Sequence, residues 1–187
     1  MPSASAEREV PLLVLGLGNL LCGDDGLGVE AVRVLAEEYE FPEGVRVLDG
    51  GTLGLSLLPH VMDARDVILV DAIRGDGPPG TLVRIEGDDV APAVAGRLSP
   101  HQVGVADLLD GARLLDRYPE RLVLHGIVPR SLELGLGLSP AVAASLPELL
   151  RRVVAEAEAM GFELARRATS ALTRRADRPG AVLRVGV

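Results

Sequence analysis

Asp24 and Asp25, Asp49, Asp71 and His101 are the residues of this 187-residue chain whose types and settings could do chemistry. The two adjacent acids follow the turn Gly16-Leu17-Gly18-Asn19. Asp49 opens Asp49-Gly50-Gly51-Thr52, Asp71 ends the apolar run Val67-Ile68-Leu69-Val70, and His101 stands within Ser99-Pro100-His101-Gln102. Two carboxylates and a neutral imidazole make an incomplete oxygen and nitrogen ligand set, suited to a borderline metal such as nickel or zinc with coordination positions left open. A cluster of buried carboxylates without a cation would be costly. Each residue also has a plainer use. Asp24 and Asp25 can cap a helix, Asp71 can cap a turn, and His101 can satisfy a backbone carbonyl; convergence on one edge of a sheet is what favours the chemical reading.

Other chemistries find little support. The chain has no lysine, all 19 basic residues being arginine, so a phosphate-binding loop is excluded. Two carboxylates where a pyrophosphate should meet a helix N-terminus argue against a dinucleotide site. A flavodoxin-like nucleotide-binding module is a competing reading of the same crevice, and it meets the same obstacle. H-E-x-x-H, G-x-S-x-G and a repeated Asp-Thr/Ser-Gly are absent. Cys22 reads as a small apolar filler, His125 as a core histidine within an apolar strand, and His60 as a residue at a helix end without a chemical role.

The elements that must position these residues follow from hydrophobic pattern. Residues 12–17 are uninterruptedly apolar, as in a strand buried on both faces. Residues 29–39 carry apolar positions at helical spacing, which puts Asp24 and Asp25 at or just before a helix N-terminus, one of them as its cap. Residues 45–48, 67–70 and 121–128 read as further strands and residues 55–62 as a helix. The connection 72–80, rich in Gly and Pro, is too short for a crossover helix, so the strand 81–85 should run antiparallel. Residues 86–97 read as irregular. Ser99-Pro100 and Ser139-Pro140 mark helix starts, and His101 then falls in the first turn of a helix reaching about residue 116. The last helix should reach about residue 160, kinked or broken at Pro147.

The predicted fold is therefore α/β, a three-layer α/β/α sandwich on a five-stranded, mostly parallel sheet with the fourth strand antiparallel. Ligands of such sheets bind beyond the carboxyl ends of the strands at a topological switch point, where Asp25, Asp49 and Asp71 fall and which His101 can reach.

Composition sets the boundaries. With 48% apolar residues and a mean hydropathy of +0.28 the chain suits one globular domain, expected over residues 11–164, with a polar N-terminal extension (1–10) and an arginine-rich C-terminal tail (165–187) with little to bury. A net charge of −8 disfavours nucleic acid and anionic membrane as partners. One cysteine excludes an intramolecular disulfide, and no apolar stretch reads as a signal or a membrane span, so a cytoplasmic protein is expected.

The motifs GLGNLLCGDDGLGVEAV, DGGT, ILVDA, SPHQ and GIVP, in this order over residues 12–160, resemble those of the hydrogenase maturation proteases. The resemblance implies an α/β/α endopeptidase that recognises nickel in the precursor of a [NiFe]-hydrogenase large subunit and removes its C-terminal extension. It implies Asp25, Asp71 and His101 as the nickel-binding and catalytic residues, and Asp49, Gly50, Gly51 and Thr52 as substrate-binding. The nickel is borne by the substrate, with zinc or cadmium as possible substitutes, and a monomer is expected. A nickel chaperone without peptidase activity would use the same three ligands.

Overall fold

The apolar runs are strands because their alternate residues enter two different cores. The computed structural model of the chain describes residues 8–95 and 103–167. Its elements, in order, are β1 (Val10–Leu17), a 3-10 turn (Gly23–Gly26), α1 (Leu27–Glu38), β2 (Tyr39–Glu40), β3 (Val45–Gly51), a 3-10 turn (Gly54–Leu57), α2 (Leu58–Asp63) and β4 (Ala64–Ala72). There follow β5 (Leu82–Glu86), a 3-10 turn (Gly87–Asp89), α3 (Val90–Ala95), α4 (Val103–Leu114), β6 (Arg121–Ile127), α5 (Pro140–Ala159) and β7 (Ala165–Arg166). The main sheet has the order β3-β1-β4-β6-β5; every pair is parallel except β5 with β6. Leu13, Leu15, Val67, Leu69 and Leu124 pack beneath α2, α3 and α4. Leu12, Val14, Ile68, Val70 and Val123 pack beneath α1 and α5. This is the three-layer sandwich expected, with the fourth long strand antiparallel. Among the described residues no helix is long and apolar enough to cross a membrane.

From β1 the chain goes to β3 on one side and then to β4 on the other, so the switch point lies between the carboxyl ends of β1 and β4. There α1 lies almost against the backbone of the sheet. A Cβ on Gly28 would stand 2.1 Å from the Val70 carbonyl oxygen and 2.4 Å from that of Leu17; one on Gly16 would stand 2.1 Å from the Gly28 oxygen. Only glycine permits this approach, and it carries the turn before α1 onto the ends of both strands.

Two expectations are corrected. Residues 86–97 are not irregular throughout: Val90 and Val94 are fully buried, and their burial organises the short helix α3. Pro147 does not divide the last helix, which runs unbroken from Pro140 to Ala159. Val142, Leu149, Leu150, Val153 and Ala157 are buried along one face on both sides of the proline. Burial of large apolar side chains at roughly 1.5–3 kcal/mol each outweighs the roughly 3 kcal/mol that an interior proline costs. Just before the proline, the Ser145 hydroxyl ties the helix to the loop before β5, donating to the Gly80 carbonyl at 2.8 Å and within the helix to that of Ala141 at 3.3 Å. The ends of the described chain are fastened too. Arg8 donates to the carbonyls of Ala64 and Tyr118 at 2.6 and 2.7 Å, and Ala165–Arg166 pairs antiparallel with β2.

His125 lies on the α5 side of the sheet, 2% exposed, with Nε2 3.0 Å from Glu156 Oε2. Glu156 is gripped in turn by Arg84 at 2.7 and 3.0 Å. Burial pushes the imidazole below its ordinary pKa against the pull of Glu156, so the folded state holds it neutral. At the opposite, amino-terminal edge of the sheet Asp66 is also buried. Desolvation favours its protonation, but hydrogen bonds and charge from Arg121 and Arg65 prevail and hold its pKa below the usual range.

Two outcomes are expected. Gly28→Ala should destabilise the protein by about 3 kcal/mol or more, because the obstructing atoms are backbone; a urea unfolding curve within about 1 kcal/mol of wild type would show that α1 can lift away freely. Stability should also fall as pH drops from about 7 to about 5. In that window the unfolded chain protonates His125 near its ordinary value of about 6.5 while the folded chain does not, so protons favour unfolding. The contributions of Asp66 and Glu156, whose folded pKa values are depressed, are instead lost below about pH 4. His125→Gln should flatten the first window only, as read from thermal midpoints across pH.

Candidate active site

The turn Gly23–Gly26 carries two buried acids with different duties. Asp24 is 2% exposed and accepts hydrogen bonds from the Arg130 N–H at 2.8 Å, the Ser131 N–H at 3.4 Å, the Ser139 N–H at 2.6 Å and the Ser139 hydroxyl at 2.9 Å. It therefore fastens the β1–α1 turn to the loop between β6 and α5. Ser139 sits at the N-cap of α5 as expected, yet its hydroxyl serves Asp24 rather than the helix. Neither acid caps α1 with its side chain, contrary to the expectation that one of them is its cap. They sit one turn too early, in the 3-10 segment, and the carboxylate of Asp24 is already committed to the loop.

Asp25, 6% exposed, points the other way and accepts the Asn19 N–H on Oδ2 at 2.9 Å. Gly18, at φ +125°, passes so close beneath it that a Cβ would stand 1.7 Å from the Asp25 carbonyl oxygen. Asp71, 2% exposed and next to last in β4, lies on the same face as Val67 and Leu69, the face covered by α4. Asp25 and Asp71 line one small cleft together with Leu17, Gly18, Gly51, Thr52, Gly54 and Val105. Its volume is about 20 Å³, room for about one water or ion. Two carboxylates facing so small a space can hold a cation or take a proton from a single water molecule.

The structure separates the other candidates. Gly51 and Thr52 form a wall of the cleft, whereas Asp49 turns to Arg33 in an ion pair of 3.2 Å and Gly50 contributes its carbonyl to the Leu53 N–H at 3.0 Å. Asp49 and Gly50 thus shape the strand end without lining the cleft. His101 lies outside the described residues. Among the described residues no group of three or more His, Cys, Asp or Glu side chains is arranged to hold a metal ion. His125 faces the other layer. Cys22 pairs through its backbone with Gly135, continuing the seam that Asp24 begins. The Asp24 contacts span more than a hundred positions, and no local pattern in the sequence signals them.

The two acids should part under mutation. Asp24→Ala should cost about 3 kcal/mol or more, since several buried donors lose a charged acceptor. Asp25→Asn, which keeps an oxygen for the Asn19 N–H, should cost less than about 1 kcal/mol yet abolish most activity. Urea unfolding and an activity assay on both variants test this, and the reverse order of stability would refute the division.

The family model described as hydrogenase maturation protease matches residues 29–156. The Hydrogenase 2 maturation protease of Escherichia coli (strain K12) is 38% identical over 153 residues, covering 81% of this chain and 93% of its own length. The hydrogenase expression/formation protein HupD of Rhodobacter capsulatus is 42% identical over 172 residues, covering 90% and 80%. Among solved structures, the hydrogenase maturating endopeptidase HybD of E. coli superimposes with a TM-score of 0.81 at 36% identity, over 84% of this chain and 98% of that one. The [NiFe] hydrogenase maturation protease HybD of Thermococcus kodakarensis gives 0.62 at 31%, over 77% and 97%. With the buried acid pair at the switch point and this breadth of similarity, the chain belongs to the hydrogenase maturation protease family and is a peptidase.

Proposed function

We propose that this peptidase acts on the precursor of a [NiFe]-hydrogenase large subunit, recognises nickel already inserted in it, and cleaves off the C-terminal extension. The observation that carries this reading is the pair Asp25 and Asp71, both buried and both facing a cleft the size of one ion. Nickel enters with the substrate. Asp25 and Asp71 supply hard oxygen ligands, and His101 is proposed as the nitrogen ligand. Its sequence position supports that role, since it precedes Val105, a residue of the cleft, by four positions, which span at most about 14 Å. The start of α4 is itself pinned beside the cleft, where Gly104 packs so tightly that a Cβ would stand 2.8 Å from the Gly54 Cα.

Such a site suits recognition of a loaded substrate. Two carboxylates and an imidazole leave several coordination positions open, and affinity rises when the precursor supplies further, softer ligands. Gly51 and Thr52, at the wall of the cleft, are placed for the peptide next to the metal. Bound nickel supplies Lewis acidity; the carboxylates hold the peptide in register and accept the proton of the attacking water. We assign the working protein to the cytoplasm as a monomer.

Asp71→Asn should lower affinity for nickel, or for cadmium or zinc in its place, by at least about tenfold, equivalent to ~1.4 kcal/mol, with the thermal midpoint unchanged. Calorimetry reads this directly, and unchanged affinity would remove Asp71 from the site. Chelator-treated wild-type enzyme should cleave nickel-loaded precursor and leave nickel-free precursor intact. Equal cleavage of both would overturn nickel recognition.

A further inference from the structure

A cleft of about 20 Å³ is too small to grip a polypeptide, so the substrate must be held outside it. The far side of the same turn offers the means. Gly23 and Gly26, which bracket the two acids, form one wall of a groove of about 480 Å³ whose other walls are Leu20, Leu136, Leu138 and Leu146. Its charged members are Glu30 and Arg33, and Arg33 is already paired with Asp49. The volume falls within the usual range for a binding pocket. The groove is also preformed: the Gly135 N–H donates to the Leu21 carbonyl at 3.0 Å, the Gly23 N–H to the Gly135 carbonyl at 2.8 Å, and Asp24 locks the rest of the loop.

The lip of this groove is unusually apolar. Leu134 and Leu136 are 87% and 85% exposed, and Leu21, on the strand-like segment paired with theirs, is 60% exposed. In an extended segment Leu134 and Leu136 share a face, with Gly135 between them. Large leucines left in water beside a catalytic turn mark a surface that becomes covered.

We infer that this leucine-lipped groove is a substrate subsite that takes large apolar side chains, such as Leu, Ile, Met or Phe, from the precursor segment lying across the Gly23–Gly26 turn beside the scissile bond. The occupant is the substrate rather than a second copy of the chain because groove and acid cleft are two sides of one turn. A polypeptide presented to Asp25 passes over Gly26 into the groove. Binding there positions the peptide through contacts remote from the reacting bond.

The inference rests on the precursor-processing reading, and the two fail differently. Wild-type chain that leaves a nickel-loaded large-subunit precursor uncut overturns that reading and this one with it. Where wild type cleaves, the double variant L134S/L136S should raise KM for the same precursor by about 10- to 100-fold, the factor expected when one or two leucines lose their burial on binding. Its kcat and thermal midpoint should stay at wild-type values, and L134M/L136M, which roughly conserves volume, should retain most of the wild-type affinity. Leu114→Ser serves as the control, since Leu114 is 85% exposed but lies at the end of α4, at the opposite edge of the sheet. An unchanged KM, an equal rise in the Leu114 variant, or a wild-type dimer that dissociates in L134S/L136S during sedimentation would each overturn the subsite.

Discussion

The contact on which the rest of the structure depends is backbone against backbone, where α1 settles on the carboxyl ends of β1 and β4 through Gly16 and Gly28. A helix ordinarily packs on a sheet through layers of side chains, which keep its first turn well above the strand ends. Removing Cβ at these two positions lowers that turn until Asp25 and Asp71, 46 positions apart in sequence, face the same small space. Gly18 completes the arrangement by letting the chain leave β1 with positive φ and pass directly beneath Asp25. The close approach sets both the size of the cleft and the burial of its acids.

Much of this was legible in the sequence. The runs ending at Leu17 and Val70 announced buried parallel strands, because only a strand covered on both faces can dispense with polar alternation. The short Gly- and Pro-rich connection before Leu82 forced the antiparallel strand. What stayed hidden depends on partners distant in the chain. Asp24 looked like a helix cap because its local setting permits one, and nothing nearby reveals that Arg130, Ser131 and Ser139 take its carboxylate. Pro147 looked like a break because local propensity is blind to the buried face of α5. Asp49 looked equivalent to Asp71 because both end strands, but β3 is an edge strand beside Arg33, and there the ion pair captures its carboxylate.

The Arg84–Glu156–His125 chain occupies the other layer of the sandwich and has a different logic. His125 pairs in register with Val70, one position before Asp71, but the pleat turns it to the opposite face. A histidine this close along the strands is therefore excluded from the cleft by a single step of alternation. Its role is to join β6 to α5 through Glu156, with Arg84 of the edge strand β5 tying in the third element. The network fixes the antiparallel edge of the sheet at the expense of a buried imidazole that must remain neutral.

The adjacent acids show why one turn can govern both chemistry and recognition. In a 3-10 segment successive side chains diverge, so neighbouring carboxylates can serve opposite sides of the same backbone. Asp25 faces the cleft with Asp71, and Asp24 binds the loop whose leucines form the groove. Because the two residues share a peptide bond, the hydrogen bonds that tie Asp24 to the loop also fix the position of Asp25. The turn is thus held in place before any substrate arrives, with the leucine groove on one side and the acid cleft on the other. On the proposed reading, apolar contacts in the groove add to substrate affinity while Asp25 and Asp71 act on the reacting bond, so that selection and chemistry are divided between the two sides of one turn.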